Sequence, residues 1–180
     1  MGLRPGRCYR STDRPAWTRY SRSQPKTSKI KAMPPIHIHH FIMGKKGYEG
    51  TVELSLIAKE DCQIRDNSLE AARTAINKPL EKNIINDYCF RIFVYPHQIL
   101  RENKMITGAG ADRLQRGMAK AWGRPCGRAA RIRKGKKILS IVTQPKNRDL
   151  VYNALKTGVL KLMGNYEIKE VIHQTPIKIA

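Results

Sequence analysis

Three histidines, His37, His39 and His40, form the densest cluster of side chains in this chain that could bind a metal or move a proton. In a strand, His37 and His39 would lie on one face, but the nearby sequence offers no third ligand, and a zinc site needs three or four. The four cysteines contain no C-x-x-C pair, so neither a zinc ribbon nor a redox motif is supported. We expect RNA contact or packing for the histidines, no metal, and reduced thiols.

Glycines between residues 108 and 127 raise the possibility of a nucleotide-binding loop. Gly108 and Gly110 form G-x-G, but Arg113 replaces the third glycine of the dinucleotide fingerprint, and no G-K-S or G-K-T follows. Asp112 is the single acid of this segment, and a lone carboxylate among cations more often fixes a loop than acts as a general base. The sequence therefore predicts no enzyme, no catalytic residue and no cofactor.

Charge is the strongest compositional signal. The 180 residues carry 35 Lys and Arg against 14 Asp and Glu, a net charge of +21. Residues 1–35 hold nine cations and one acid, residues 99–137 hold twelve and two, and residues 36–98 hold eight of each. Such a charge opposes compaction unless a polyanion neutralises it. The apolar runs are too short to span a membrane, and Met1 opens no secretory signal. We expect a cytoplasmic, nucleic-acid-binding protein without membrane contact.

The first basic segment, residues 1–35, predicts an extended arm. Five prolines and few aliphatic residues prevent a core or a long helix. Arginines alternate with aromatic residues, which pairs guanidinium groups for phosphates with flat faces for bases. A solvated disordered tail is the alternative. The arm residues expected to bind RNA are Arg4, Arg7, Arg10, Arg14, Trp17, Arg19, Tyr20, Arg22 and Lys26.

The neutral segment predicts the first half of a single domain over residues 36–180. Apolar residues at helical spacing predict a helix that is capped by Asp66 or Asn67 and is kinked or ended by Pro79. Alternating or continuous apolar runs predict extended structure around it. These extended segments are 36–43, 51–57 and a well-buried strand over 88–95.

The second half predicts a β-hairpin, a helix and a last strand. Residues 134–137 form a short turn with Gly135 between two strand-like runs, which is typical of a hairpin. The fold class that follows is α+β, a mixed or antiparallel sheet sandwich with two helices. The predicted elements are strands over 129–133 and 138–143, a helix over 148–162 and a strand over 166–172.

Residues 101–128 combine permissive glycines with closely spaced cations, so this segment can approach a phosphate backbone. We expect it to be ordered by its partner. Further RNA contacts are expected from Arg124, Arg128, Arg131 and Arg133.

Four motifs resemble one family. They are R-P-G-R-C-Y-R at 4–10, S-L-E-A-A-R at 68–73, K-M-I-T-G-A-G-A-D-R-L-Q-R-G-M at 104–118 and W-G-R-P-C-G at 122–127. Together they resemble the L-ten-e family, the archaeal and eukaryotic branch of the universal L-sixteen protein of the large ribosomal subunit. The chain ends at Ala180 and has Trp17 and Tyr20 where a second cysteine is common, which favours the archaeal branch.

This resemblance implies an α/β-hammerhead type of fold and a monomer seated on large-subunit ribosomal RNA among neighbouring ribosomal proteins. It places the protein near the aminoacyl-tRNA site, with a loop over residues 101–118 that faces tRNA in the aminoacyl and peptidyl sites. Peptide transfer is carried out by RNA, so the family performs no chemistry. The tRNA-facing residues that it implies are Arg101, Lys104, Arg113, Gln115 and Arg116.

Three other classes share some of these features. An RNA-modifying enzyme would need a cofactor loop or an acid–base pair. A chromatin protein would share the charge but would not prefer structured RNA. A regulatory protein acting away from the ribosome would sediment in light fractions at low salt.

Overall fold

The structure, a computed structural model, describes residues 4–12, 18, 23, 26, 28–106, 108–115, 117–119 and 121–178. The strands within these residues are β1 (Ile42–Gly44), β2 (Glu49–Ala58), β3 (Cys62–Arg65), β4 (Tyr88–Ile92), β5 (Gln98–Glu102), β6 (Arg124–Ile132), β7 (Lys137–Thr143) and β8 (Tyr166–Lys178). The helices are α1 (Asp66–Asn83), the single turn α2 (Ala111–Leu114) and α3 (Arg148–Val159), with short 3-10 helices at Gly6–Tyr9 and Pro145–Asn147.

The strands form two sheets in which every pairing is antiparallel. Sheet A has five strands in the order β1-β4-β7-β2-β8, and sheet B has three in the order β3-β6-β5. The α+β class, the two longer helices and the antiparallel sheets confirm the prediction from the sequence. The hammerhead type and the division at residue 35 stay predictions.

One hydrophobic core draws on both sheets and both longer helices. On sheet A, Ile141 of β7 lies opposite Leu54 of β2 and Phe90 of β4, and all three are fully buried. Helix α1 contributes Ile76, and sheet B contributes Ile64. Alternation in the strands and the helical period in α1 therefore point their apolar residues to the same interior.

The start of helix α1 differs from its prediction, and its end excludes one of the two effects predicted for Pro79. Asp66 is its first residue, not a side-chain cap, and its carboxylate accepts hydrogen bonds from the backbone N–H and ring Nδ1 of His37. Pro79 does not end the helix, which continues to Asn83. The last turn survives the missing N–H of Pro79 because Leu80 and Ile84, which both follow it, are buried in the core.

The predicted hairpin was wrong. Lys136 N–H donates to the Arg133 carbonyl, so residues 133–136 do turn tightly, but β6 belongs to sheet B and β7 to sheet A. Both edges of β6 are occupied, by β3 and β5, and both edges of β7 by β2 and β4. The turn therefore carries the chain from one sheet to the other.

Strands β3 and β5 were not predicted, because both are short and at least half of the residues in each are polar. Other strand boundaries also shifted: β4 ends at Ile92, β6 begins at Arg124, and β8 continues to Lys178. Within the described residues, no helix combines the length and apolar character that crossing a membrane requires.

Candidate nucleic-acid interface

The described part of the arm binds along both edges of sheet B. Gln63 N–H on β3 donates to the Arg10 carbonyl at 2.9 Å, and Ile99 N–H on β5 donates to the Thr18 carbonyl at 2.7 Å. Thr18 is buried, and its hydroxyl donates to the Ile99 carbonyl at 2.8 Å. The arm thus covers strand edges that would otherwise be open to pairing.

Two of the predicted arm cations are paired with acids of the domain. Arg4 Nε lies 2.6 Å from Glu102, and Arg10 forms an ion pair with Glu60. Arg7 and Lys26 are exposed. Arg4 and Arg10 keep about half of their side-chain surface exposed, so both remain accessible despite their ion pairs. The other arm residues predicted to bind RNA, Arg14, Trp17, Arg19, Tyr20 and Arg22, lie outside the described residues.

The turn between β6 and β7 presents a cluster of cations. Three exposed cations lie within the four consecutive positions 133–136: Arg133, Lys134 and Lys136. The carboxylate of Asp61 accepts the backbone N–H of Lys134 at 2.7 Å, so this acid fixes the turn. We call these three residues the turn cluster.

A depression of about 520 Å³ adjoins the turn cluster. Its wall includes Arg131, whose guanidinium donates to the Thr12 carbonyl of the arm. Arm, turn and sheet B therefore meet around one cationic recess, and cations that lie close together favour a phosphate more than isolated ones do.

Arg124 and Arg128 lie on β6 in different surroundings. Arg124 is exposed at the start of the strand. Arg128 is only 6% exposed, and its Nε donates to the Pro34 carbonyl at 2.6 Å. Its guanidinium therefore fastens the segment before β1 to sheet B, a role that its sequence context did not reveal.

The segment between β5 and β6 is fastened by the Gln115 amide. Gln115 Oε1 accepts the Ile106 N–H at 2.8 Å, and its Nε2 donates to the Lys104 carbonyl at 3.1 Å. Asn103 adds a bond to the Gly117 carbonyl. These bonds hold residues 103–106 to Gln115 and Gly117, and we call the described residues from 103 to 117 the clasped loop. Gln115, predicted to face tRNA, has a structural role here.

The cations predicted to face tRNA separate into two groups. Lys104 and Arg113 are exposed on the clasped loop. Arg101 belongs to strand β5, and its guanidinium carbon lies 3.7 Å from the ring centroid of Trp122. Arg116 lies outside the described residues.

Sheet A has an exposed aromatic side chain that the sequence analysis missed. Phe93 is 39% exposed just after β4, with the Arg91 guanidinium 5.3 Å and the Lys137 ammonium 5.6 Å from its ring centroid. In the strand predicted to be well buried, buried and exposed residues alternate from Arg91 onward. The charged Arg91 between Phe90 and Ile92 was the signal in the sequence for this alternation.

Three of the four thiols are buried or half-buried, and one histidine of the cluster is paired with an acid. Burial raises the pKa of Cys62, Cys89 and Cys126, which disfavours the nucleophilic thiolate. His37 is bound to Asp66, and no group of three or more potential metal ligands forms within the described ranges.

These features define a class: a basic α+β protein with an exposed cluster of cations at one turn and no assembled catalytic centre within the described residues. The family model of ribosomal protein L16p/L10e matches residues 15–169. The chain therefore belongs to the ribosomal protein L16p/L10e family, whose members are structural components and not enzymes.

Similar proteins occur in several archaea. The large ribosomal subunit protein uL16 of Methanococcus aeolicus is 44% identical over 163 residues, which cover 90% of each chain. The protein of the same description from Thermofilum pendens is 43% identical over 164 residues, covering 90% of this chain and 93% of its own. That of Archaeoglobus fulgidus is 41% identical over 147 residues, covering 81% and 84%. The resemblance found in the motifs, including its archaeal branch, is confirmed.

Proposed function

We propose that this protein binds ribosomal RNA of the large subunit in the cytoplasm, and that its scaffold holds the arm and the turn cluster in a fixed arrangement against that RNA. The observation that carries the proposal is the convergence of Arg131, the turn cluster and the arm around one recess. The relatives described as large-subunit proteins support the same assignment.

The proposed contacts with RNA are largely electrostatic. Each phosphate that a cation neutralises releases counterions, so the logarithm of affinity falls by about 0.9 for each tenfold rise in salt per contact. The exposed cations of the turn cluster and Arg124 supply such contacts, whereas the buried Arg128 acts by holding the preceding segment in place.

We test this with a variant that removes the turn cluster: Arg133→Gln, Lys134→Gln and Lys136→Gln together. Binding to deproteinised large-subunit RNA is measured between low and moderate salt. If each side chain neutralises one phosphate, the salt slope should fall by roughly 2.7. The turn should persist, since its hydrogen bonds use backbone atoms and Asp61.

The matched control removes the same charge from the helices and the residues after them: Lys78→Gln, Lys82→Gln and Lys161→Gln, all at exposed positions. This variant should keep most of the original slope. An equal decrease of the salt slope in both variants would mean that net charge alone governs binding. That result would contradict a defined RNA interface at the turn.

We further propose that the clasped loop lies near the aminoacyl-tRNA site and presents Lys104 and Arg113 toward bound tRNA. Its support is the internal fastening by Gln115, which leaves both cations exposed. A photoreactive residue at 113, incorporated into native particles, should crosslink to tRNA and to large-subunit RNA beside that site. Crosslinks confined to scattered duplexes or to DNA would overturn this placement.

A further inference from the structure

A cavity of about 770 Å³ lies where the arm meets sheet B and the residues that precede β6. Its walls include Tyr9 of the arm, Gln63 of β3, Leu100 and Arg101 of β5, and Trp122. The volume lies within the range of roughly 300–1,000 Å³ that is typical of sites for small organic groups. None of the interactions proposed above uses it.

Gln63 lines this cavity, and its side chain holds an unpaired acceptor. Its side chain is 2% exposed, and its Nε2 donates to the Tyr9 carbonyl at 2.9 Å. A carbonyl can accept only from the amide NH₂, so this bond fixes the orientation of the side chain. Gln63 Oε1 is buried and has no hydrogen-bond partner among the described residues. A buried acceptor without a donor calls for an explanation, and a ligand N–H supplies one.

Trp122 and Arg101 supply a flat surface in the same cavity. The guanidinium carbon of Arg101 lies 3.7 Å from the ring centroid of Trp122, and Arg101 also donates to the Trp122 carbonyl at 3.0 Å. The two planar groups are thus held in one arrangement, and Trp122 remains 48% exposed. Aromatic rings and guanidinium planes are the surfaces on which unstacked bases pack in RNA-binding proteins.

The remaining wall is polar on one side and apolar on the other. Gln98 is nearly fully buried and accepts the Thr18 N–H, while Ile99 and Leu100 contribute apolar surface. Burial raises the pKa of Tyr9, with Cys126 and Glu102 adding to the effect, so its phenol stays protonated and neutral. A flat group that bears an N–H fits such walls better than a phosphate does.

We propose that this cavity accepts one unpaired nucleobase of the RNA, which donates an N–H to Gln63 Oε1 and stacks on the Arg101–Trp122 pair. The inference rests on the proposed function, because the base must belong to bound RNA. Each of the four RNA bases carries an N–H on its pairing edge, so the cavity selects an unpaired nucleotide more strongly than a particular base.

The experiment compares the full-length protein with Trp122→Leu and Gln63→Leu on deproteinised large-subunit RNA. Base-specific chemical modification reports the pairing edges, and hydroxyl-radical cleavage reports the backbone. The original protein should protect at least one unpaired base, and both variants should lose that protection. Losing one stacked base should also weaken binding by about 5- to 150-fold for Trp122→Leu.

Two further variants keep the test specific. Trp122→Phe retains a ring and should retain the protection. Tyr152 is a comparable exposed aromatic residue on α3, and its ring centroid lies 4.6 Å from the Lys156 ammonium. Tyr152→Leu removes this ring and should leave the protection of the base unchanged. Gln63→Leu supplies a second route to the same result should Trp122→Leu disturb folding.

The outcomes separate this inference from the proposed function. Backbone protections that persist in all variants, with no base protection dependent on Trp122 or Gln63, would overturn the cavity's role and leave RNA binding intact. No protection at all by the original protein would overturn both. A photoreactive residue can also be placed at position 122. Crosslinks to a protein neighbour, and not to RNA, would mean that the cavity binds a peptide and would overturn the proposal that it accepts a nucleobase.

Discussion

At the scale of single residues, a buried phenol joins strand β4 to helix α1. Tyr88 is 2% exposed, and its hydroxyl donates to Asn77 Oδ1 at 2.8 Å. We expect Tyr88→Phe to destabilise the protein by about 1–3 kcal/mol at pH 7, because it leaves a buried acceptor without its donor. Urea unfolding measures this, and Tyr152→Phe at a more exposed position should change stability little.

The hydrogen bond between Tyr88 and Asn77 also predicts that the stability of the protein depends on pH. Burial, assisted by the charge of Glu81, raises the pKa of Tyr88 to about 12 from an ordinary value of 10.0. Below pH 10 the phenol is protonated in both states, so its stabilisation is complete. Between pH 10 and 12 the unfolded chain loses the proton first, and the difference in stability between the original protein and Tyr88→Phe should narrow. A constant difference over this range would contradict the assignment.

At the scale of elements, the contact between α1 and α3 depends on a missing side chain. A Cβ built on Gly158 would lie 2.4 Å from two side-chain carbons of Ile76, which is fully buried. Overpacking in Gly158→Ala should lower the free energy of unfolding by about 1–3 kcal/mol. The higher helix propensity of alanine should return about 1 kcal/mol of this loss. The melting temperature should therefore fall.

A double variant tests whether overpacking against Ile76 causes this loss of stability. Ile76→Val removes one of the two crowded carbons. It should therefore lower the free energy of unfolding less in the Gly158→Ala background than in the original protein. Thr157→Ala, at the exposed neighbouring position, should be neutral or stabilising. Strictly additive effects of the two core substitutions would mean that the helices move apart freely.

At the scale of the whole molecule, the arm stabilises sheet B. The amides of Gln63 and Ile99, at opposite edges of the sheet, donate to arm carbonyls. In a chain without residues 1–27, hydrogen exchange at these amides should accelerate about tenfold, the equivalent of roughly 1.4 kcal/mol. The Leu54 amide, on an interior strand of sheet A, is the internal control and should stay protected. Unchanged exchange at Gln63 and Ile99 would show that the edges are closed without the arm.

The sequence by itself determined the properties that depend on residue type and local spacing. Charge in two basic segments predicted a polyanionic partner, the helical period of Leu69, Ala72, Ile76 and Leu80 placed α1, and four motifs identified the family. These signals are local, because a helix period or a charged run is complete within a few turns of chain.

Only the tertiary structure decided which distant segments pair. The turn at 133–136 has the same local form whether it closes a hairpin or joins two sheets, and the choice depended on β3 and β5 occupying the edges of β6. Likewise, Arg128 and Gln115 carry no local sign that one is buried against Pro34 and the other clasps a loop. The side chain of Gln63 became a cavity wall only when the arm folded over it. The physical reason is that hydrogen-bond satisfaction and burial depend on partners far away in sequence, which spacing along the chain does not encode.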